Sequence, residues 1–334
     1  METEHQAKLT ASEIALLWIS YQNDSMAVCG LKHFLTNVED HSIREILEFA
    51  LEISERHVQK VSQIFKAERY PLPQGFTEKD INLDAPRLFT DVLYLQYIEN
   101  MGKFGLTSYS VALSSSSRQD ITDFYSTAMA EAMELFDRSK RLLQEKGLFH
   151  RDSVLPTPDQ IDFVKKQSFL KGFFGDRRPL LGIEISNLWY ATVRNGLGQA
   201  IIQGFSQVAK NKEVREYFER GREISKKDLE TFGLILDQNY LSRGAFNLTG
   251  EVTDSKVAPF SDKLMMYHIA TLSASAVGQY GMAMASSPRH DLGLIYARLS
   301  AGIYNYTNDG ANIMIDHGWM EQPPEAANRK NLSQ

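Results

Sequence analysis

The sequence predicts an all-α protein made of two tandem copies of a single four-helix unit. Three observations carry this reading. Apolar residues recur at three- and four-residue spacing along most of the chain. The chain matches itself when shifted by about 171 residues, with roughly two dozen identities. Helix caps and breakers fall at the same places in both copies. The size agrees, since 334 residues is long for one domain and comfortable for two. With 43% hydrophobic residues, each half can bury a core of its own.

The repeat holds its register over whole helices. Glu13, Ile14, Leu17 and Trp18 fall on Glu184, Ile185, Leu188 and Trp189. Arg44, Glu45 and Glu48 fall on Arg215, Glu216 and Glu219, and Glu52-Ile53-Ser54 on Glu223-Ile224-Ser225. Phe89, Asp91 and Leu93 fall on Phe260, Asp262 and Leu264. Tyr109, Arg118, Asp120 and Tyr125 fall on Tyr280, Arg289, Asp291 and Tyr296, and Gly147 on Gly318. A period this long is a duplicated domain, not a solenoid unit.

Helices are expected at 10–37, 39–68, 86–115 and 117–147, then at 181–208, 211–239, 257–286 and 288–318. The second helix shows the stripe clearly, with Ile43, Leu47, Ala50, Ile53, His57, Val61 and Ile64 on one face. Asp40 and Asn211 are placed to cap second helices by accepting from first-turn N–H groups. Ser287-Pro288 reads as a cap followed by an N1 proline at the start of the last helix. Gly147 and Gly318 sit where a left-handed C-terminal residue is wanted. The copies are expected at 1–150 and 181–325. They are joined by a linker over 151–180, in which Gln160 to Phe174 is expected to form a short helix.

Loop lengths then set the connectivity. The first and third connections of each copy are short, so those helix pairs are antiparallel hairpins. The second connection, around Tyr70 to Pro86, holds Pro71, Pro73 and Gly75 and is long enough to run the length of a bundle. One long crossover between two hairpins is the ferritin-like pattern. The third helices are rich in small residues (Ser108, Ser110, Ala112 and Ser114; Gly278 to Ala285). These helices are either the most buried or line the contact between copies.

Several function classes are disfavoured. The net charge is −6 with both signs interspersed, and no basic block stands out to neutralise phosphates, so nucleic acid is not an expected partner. The single cysteine, Cys29, cannot form an internal disulfide. Residues Met1 to His5 lack the basic and apolar regions of a secretory signal. The most apolar stretch, Leu264 to Ala285, contains His268 and Gln279 and suits a buried helix better than a membrane span. A cytoplasmic protein without membrane insertion is the expectation. No Gly-x-Ser-x-Gly, P-loop or Rossmann motif appears, and Gly172-Phe-Phe-Gly175 is a lone glycine pair. The serines Ser114 to Ser117 read as helix capping, and Trp18 and Trp189 as core anchors.

A dinuclear carboxylate site in such a bundle needs a Glu from each of two helices and a Glu-x-x-His pair from each of the other two. The sequence does not supply it. The second helices offer Ser54-x-x-His57 and Ser225-x-x-Asp228, with serine at the bridging position. The fourth helix of the first copy has Glu131 and Glu134 beside its apolar stripe, but no Glu-x-x-His; their counterparts are Gly302 and Asn305. A weaker polar set remains at mid-bundle. Folding the first hairpin puts Asp24 level with Ser54 and near His57, with Tyr97, Asn100 and Glu131 expected at similar depth. The matching set in the second copy is Asn195, Asp228 and His268. Two readings follow: an internally hydrogen-bonded layer that fixes register, or a site for a single divalent metal or small ligand built on Asp24, His57, Glu131, Asp228 and His268. No catalytic residue or cofactor is indicated.

Four segments carry a family resemblance. They are Phe163-Val-Lys-Lys-Gln-Ser-Phe-Leu-Lys-Gly-Phe-Phe-Gly175, Gly204-Phe-Ser-Gln-Val-Ala-Lys-Asn-Lys-Glu-Val-Arg215, Phe260-Ser-Asp-Lys-Leu-Met-Met266, and Asp309-Gly-Ala-Asn-Ile-Met-Ile315 through Gly318-Trp-Met-Glu-Gln-Pro-Pro324. Over nearly its whole length the chain resembles an uncharacterised family of duplicated ferritin-like proteins from Bacillus and related spore-formers, distantly similar to spore coat protein F. The resemblance implies two ferritin-like bundles, a cytoplasmic and spore-associated location, and coat components among its protein partners. It brings no activity. In that family the position of Asp228 is often histidine, so this chain departs there. The function expected is that of a non-enzymatic structural or interaction protein associated with the spore coat. The alternative is a metal- or small-ligand-binding bundle with a non-standard polar site. Oligomeric state is left open.

Overall fold

The structure, a computed structural model, describes residues 7–173, 177–244 and 247–329. Among them are eight long α-helices: α1 (Ala11–Asn37), α2 (His41–Ala67), α3 (Asp91–Ser114), α4 (Gln119–Glu145), α5 (Gly182–Val208), α6 (Lys212–Asp237), α7 (Asp262–Ser286) and α8 (His290–Asp316). The α2–α3 and α6–α7 connections are long and the hairpin connections short, which is the connectivity read from the sequence. No helix of the described residues is long and apolar enough to cross a membrane.

The chain divides into two compact units. The first comprises Met1–Asp84, Tyr94–Leu142 and Gly318–Gln334; the second comprises Ala85–Leu93 and Leu143–His317. The end of the first crossover and the first residues of α3 thus belong with the second unit, and the residues after α8 belong with the first.

In the first unit all four helices pack around one core in which Leu17, Leu47, Phe65, Tyr94 and Tyr125 are almost fully buried. Phe34 of α1 stacks on Tyr94 of α3 at 4.2 Å between ring centroids. The guanidinium of Arg138 on α4 lies 4.1 Å over the ring of Phe49 on α2. The small residues of α3 have a direct use here. A Cβ at Gly102 would lie 2.9 Å from the Phe136 backbone, and one at Gly105 would lie 2.8 Å from Ala132, so α3 approaches α4 closely only as glycine.

In the second unit α5 packs on α6 and α7, and α8 on α6 and α7, closing a four-helix ring. Tyr217 of α6 and Tyr306 of α8 stack at 4.1 Å with planes 5° apart. Their hydroxyls point reciprocally at helix glycines, Tyr306 at Gly221 and Tyr217 at Gly310, where an added Cβ would collide. Gly221→Ala should therefore destabilise the second unit by about 1–3 kcal/mol through overpacking, despite alanine's better helix propensity. Urea denaturation checks this, and Tyr306→Phe in the same chain should recover part of the loss. A neutral or stabilising Gly221→Ala would show that the stack yields.

Most caps form as the sequence indicates. Asp40 accepts from the amides of Ser42 and Ile43, and Asn211 from that of Glu213. Gly147 and Gly318 have φ of 68° and 66°. Three expectations are corrected. First, α3 and α7 begin at Asp91 and Asp262, several residues later than their periodicity suggests. Phe89 forms an antiparallel bridge with Val252, and the Thr90 and Thr253 amides donate to the Glu251 and Leu88 carbonyls. These backbone bonds hold the chain extended there. Second, α8 does not start on Ser287-Pro288. Its cap position is Arg289, whose amide donates to a Glu184 carboxylate oxygen at 3.1 Å. Third, among the described residues the linker holds only a 3-10 turn, Gln167–Leu170, in place of a helix; Phe174 of the expected span and Gly175 of the glycine pair lie outside the described residues.

Candidate functional site

The mid-bundle layer of the first unit is built by α1, α2, α3 and α4 together. His57 projects from the buried face of α2, with Asp24 of α1 on one side and Glu131 of α4 on the other. Its Nδ1 lies 3.4 Å from Asp24 Oδ2, and its Nε2 lies 2.8 Å from Glu131 Oε2. The second oxygen of Glu131 accepts from Arg56 Nη2 at 2.7 Å. The Tyr109 hydroxyl of α3 lies 3.3 Å from His57 Nδ1, and the rings of Tyr109 and Phe124 stand edge-on to the imidazole. Asp24 and His57 are buried, and Glu131 reaches the surface with its outer edge.

Electrostatics fixes the charge state of this row. Burial alone would pull His57 down, but the charge and hydrogen bonding of Asp24 and Glu131 lift it to about 9. Burial would raise Glu131, yet bonds from His57 and Arg56 hold it below its ordinary value. Burial lifts Asp24 above the usual carboxylate range. At neutral pH the row therefore reads Arg56⁺, Glu131⁻, His57⁺, with Asp24 closing the inner end.

The second unit keeps the position and changes the chemistry. Asp228 stands where His57 does, Asn195 where Asp24 does, and Gly302 where Glu131 does. Asn195 Nδ2 donates to the Tyr280 hydroxyl at 2.7 Å, and that hydroxyl donates to Asp228 Oδ2 at 3.3 Å. Burial pushes Asp228 up to about 6. His268 is not part of this layer. It packs against Phe205, with ring centroids 5.6 Å apart, and burial pulls it down to about 4.

The structure thus brings Asp24, His57 and Glu131 together and leaves Asp228 and His268 apart. Tyr97, expected at the same depth, packs instead against Phe34. The α3 contribution comes from Tyr109, further along the helix. The row also does not fit a metal. A metal-ligating imidazole presents one unprotonated ring nitrogen to the ion, and here both nitrogens face carboxylates on an imidazolium. Ser54 takes the bridging-glutamate position, and Arg56 brings a positive charge to the one other carboxylate. Among the described residues no three His, Cys, Asp or Glu side chains are arranged to hold an ion.

Sequence reasoning missed a second pair of polar sites. Glu13, fully buried at the start of α1, closes a capping box with Thr10 and also accepts from the amides of Ser117 and Arg118, both at 2.9 Å. Its carboxylate thus satisfies the starts of α1 and α4 at once. Glu184 repeats this in the second unit, accepting from the amides of Leu181 and Arg289 and bidentately from Arg178 at 2.8 Å. The signal was present, since Glu13 and Glu184 are a repeat identity next to a helix start. The serine run at Ser114 to Ser117 drew the capping role instead.

The two mid-bundle layers and the paired carboxylate caps describe one design used twice. The family model described as "Protein of unknown function (DUF3231)" matches residues 1–161 and again 168–332. The chain belongs to the DUF3231 family. The two matches place one DUF3231 repeat on each four-helix set. A solved structure of a candidate spore coat protein from Bacillus halodurans is similar over 48% of this chain and 100% of its own, with 16% identity and a TM-score of 0.41. No curated protein matches the DUF3231 chain.

Proposed function

We propose that this DUF3231 chain is a non-enzymatic structural or interaction protein of the cytoplasm that associates with the spore coat. The observation that carries the non-enzymatic part is the closed bonding of His57. A general base or a metal ligand needs a nitrogen facing a substrate or an ion. His57 Nε2 is bonded to the Glu131 carboxylate and Nδ1 is covered by the Tyr109 hydroxyl and Asp24, and its cationic form is the one the row stabilises. The equivalent layer in the second unit is smaller and is built on a tyrosine–carboxylate bond. Such layers fix the register of packed helices, which is what a structural protein requires of them. The coat association is motivated by the sequence resemblance to spore coat protein F.

Fractionation of spores from a sporulating host that carries the tagged full chain tests the location. Enrichment in the coat extract is expected; recovery confined to the soluble fraction of vegetative cells would refute it. Elemental analysis of tag-free protein tests the alternative of a metal-binding bundle. Less than about a tenth of an equivalent of any divalent metal is expected. About one equivalent, lost on His57→Ala, would favour the alternative.

A further inference from the structure

Each unit contains a short segment that belongs by sequence to the opposite repeat. Residues 85–93 lie in the first family match, yet they are part of the second unit. The residues after α8 lie in the second match, yet they are part of the first unit.

The segment at 85–93 is built in through backbone and side chains alike. Phe89 pairs with Val252 as an antiparallel bridge. Thr90 N donates to the Glu251 carbonyl and Thr253 N to that of Leu88, both at 3.0 Å. The Thr253 hydroxyl donates to the Arg87 carbonyl at 2.7 Å. Leu88 and Phe89 are buried. The Phe89 ring lies over Gly204 of α5, where a Cβ would come within 2.4 Å of it. The repeat is broken at this point. Phe205 takes two rings, Phe260 at 6.2 Å and Phe89 at 6.3 Å between centroids, whereas its counterpart Phe34 packs on Tyr94 and Tyr97. Gly204 makes the room for the extra ring, and its counterpart in α1 is His33.

The return segment is tied into the first unit by Glu321. Its carboxylate accepts from Gln74 N at 2.7 Å, Gly75 N at 2.8 Å and Gln22 Nε2 at 2.9 Å. Gly75 has φ of 60°, which aims the two amides at one point. Trp319 and Asn328 also have partners, so the segment is anchored at more than one residue. The linker is the opposite case. Residues 151–166 have neither helix nor strand, and all but Ser153 are exposed. Even Val154, Ile161 and Phe163 are 86%, 90% and 83% exposed. Such a stretch is open to a protease, and Arg151, Lys165 and Lys166 lie within it.

We propose that each half of the chain is the binding partner of the other: residues 85–93 and the Glu321 segment are reciprocal docking elements, and the linker is a cleavage site at which cutting leaves one folded two-chain assembly. A cut there leaves every bond named above in place. The claim stands whether or not the protein reaches the spore coat.

Brief trypsin treatment of the full chain tests it. The first cut should fall between Arg151 and Lys171, and the halves should co-elute from a sizing column as one equimolar species with the helix content of the uncut chain. A first cut inside a helix, or halves that separate without denaturant, overturns the proposal. Dilution of the cut protein then tests the docking elements. Phe89→Ala and Glu321→Ala should each raise the concentration at which the halves separate by at least about tenfold. Wild-type behaviour of either variant overturns the role of its segment. Thr253→Val keeps the side-chain shape and removes one hydroxyl bond. It should raise the same concentration by about three- to tenfold, and it decides the role of residues 85–93 if circular dichroism shows uncut Phe89→Ala to have lost helix.

Discussion

Glu131→Ala is expected to destabilise the first unit by about 1–3 kcal/mol, less than for a fully buried ion pair, because the Glu131 carboxylate reaches the surface and His57 can shed its proton. The loss has two parts. The 2.8 Å bond to His57 Nε2 disappears, and the cationic imidazole is left in the core with Asp24 as its remaining carboxylate. Arg56 loses its inner partner but keeps Glu52 and solvent, so little of the effect should come from that side. The accompanying signature is a shift of the His57 titration. It should lie near 9 in wild type and fall toward 6.5 in Glu131→Gln, read from imidazole proton resonances. A wild-type value near 6.5 would remove the basis of the prediction.

The pH dependence follows by sign. His57 is raised, so its contribution is fully present below about 6.5 and fades as pH rises through about 9. Glu131 is lowered, so its contribution is present above the ordinary 4.5 and fades on acidification. Asp24, raised by burial, works against both at neutral pH. The row should therefore add most between about pH 4.5 and 6.5. Asp24→Asn should also lower the His57 titration, since the Asp24 charge is the first of the influences that raise it.

What could be read from the sequence was what depends on spacing along one helix. The α2 stripe put His57 on the inner face, and the short α1–α2 turn set its depth against Asp24, because both residues sit on a hairpin whose length is countable. Glu131 was legible for the same reason, through α4. Tyr109 was not. Its depth depends on how the long α2–α3 crossover delivers α3 against the other helices, which no spacing along a single helix sets. His268 failed by the same route, since it stands at the repeat position of Tyr97 on a helix that also follows a long crossover. The position of Glu321 was invisible for a different reason. It follows a helix stop and precedes two prolines, which reads as a plain tail, and nothing local says that its carboxylate has three donors waiting at Gln22, Gln74 and Gly75.

The second large effect is expected at Glu13. Burial would raise this carboxyl, yet the amides of Thr10, Arg118 and Ser117 hold it down to about 2. A carboxylate lowered that far from 4.5 contributes about 2–3 kcal/mol to folding at neutral pH, and Glu13→Gln should forfeit most of it. The sign is that of a depressed acid: the contribution is complete above about pH 4.5 and is lost as pH falls toward 2. Chemical denaturation of wild type and Glu13→Gln at a series of pH values between 3 and 7 should show a stability gap that is constant at the upper end and narrows below about 4.5. A gap independent of pH would mean that packing of the side chain, not its charge, is what the starts of α1 and α4 require. Glu184→Gln supplies the contrast. Its carboxylate also holds Arg178, which donates to the Phe169 carbonyl and lies 4.3 Å over the Phe169 ring. That substitution should therefore both lower stability and raise amide exchange in Gln167–Leu170, whereas Glu13→Gln should leave exchange in that turn unchanged.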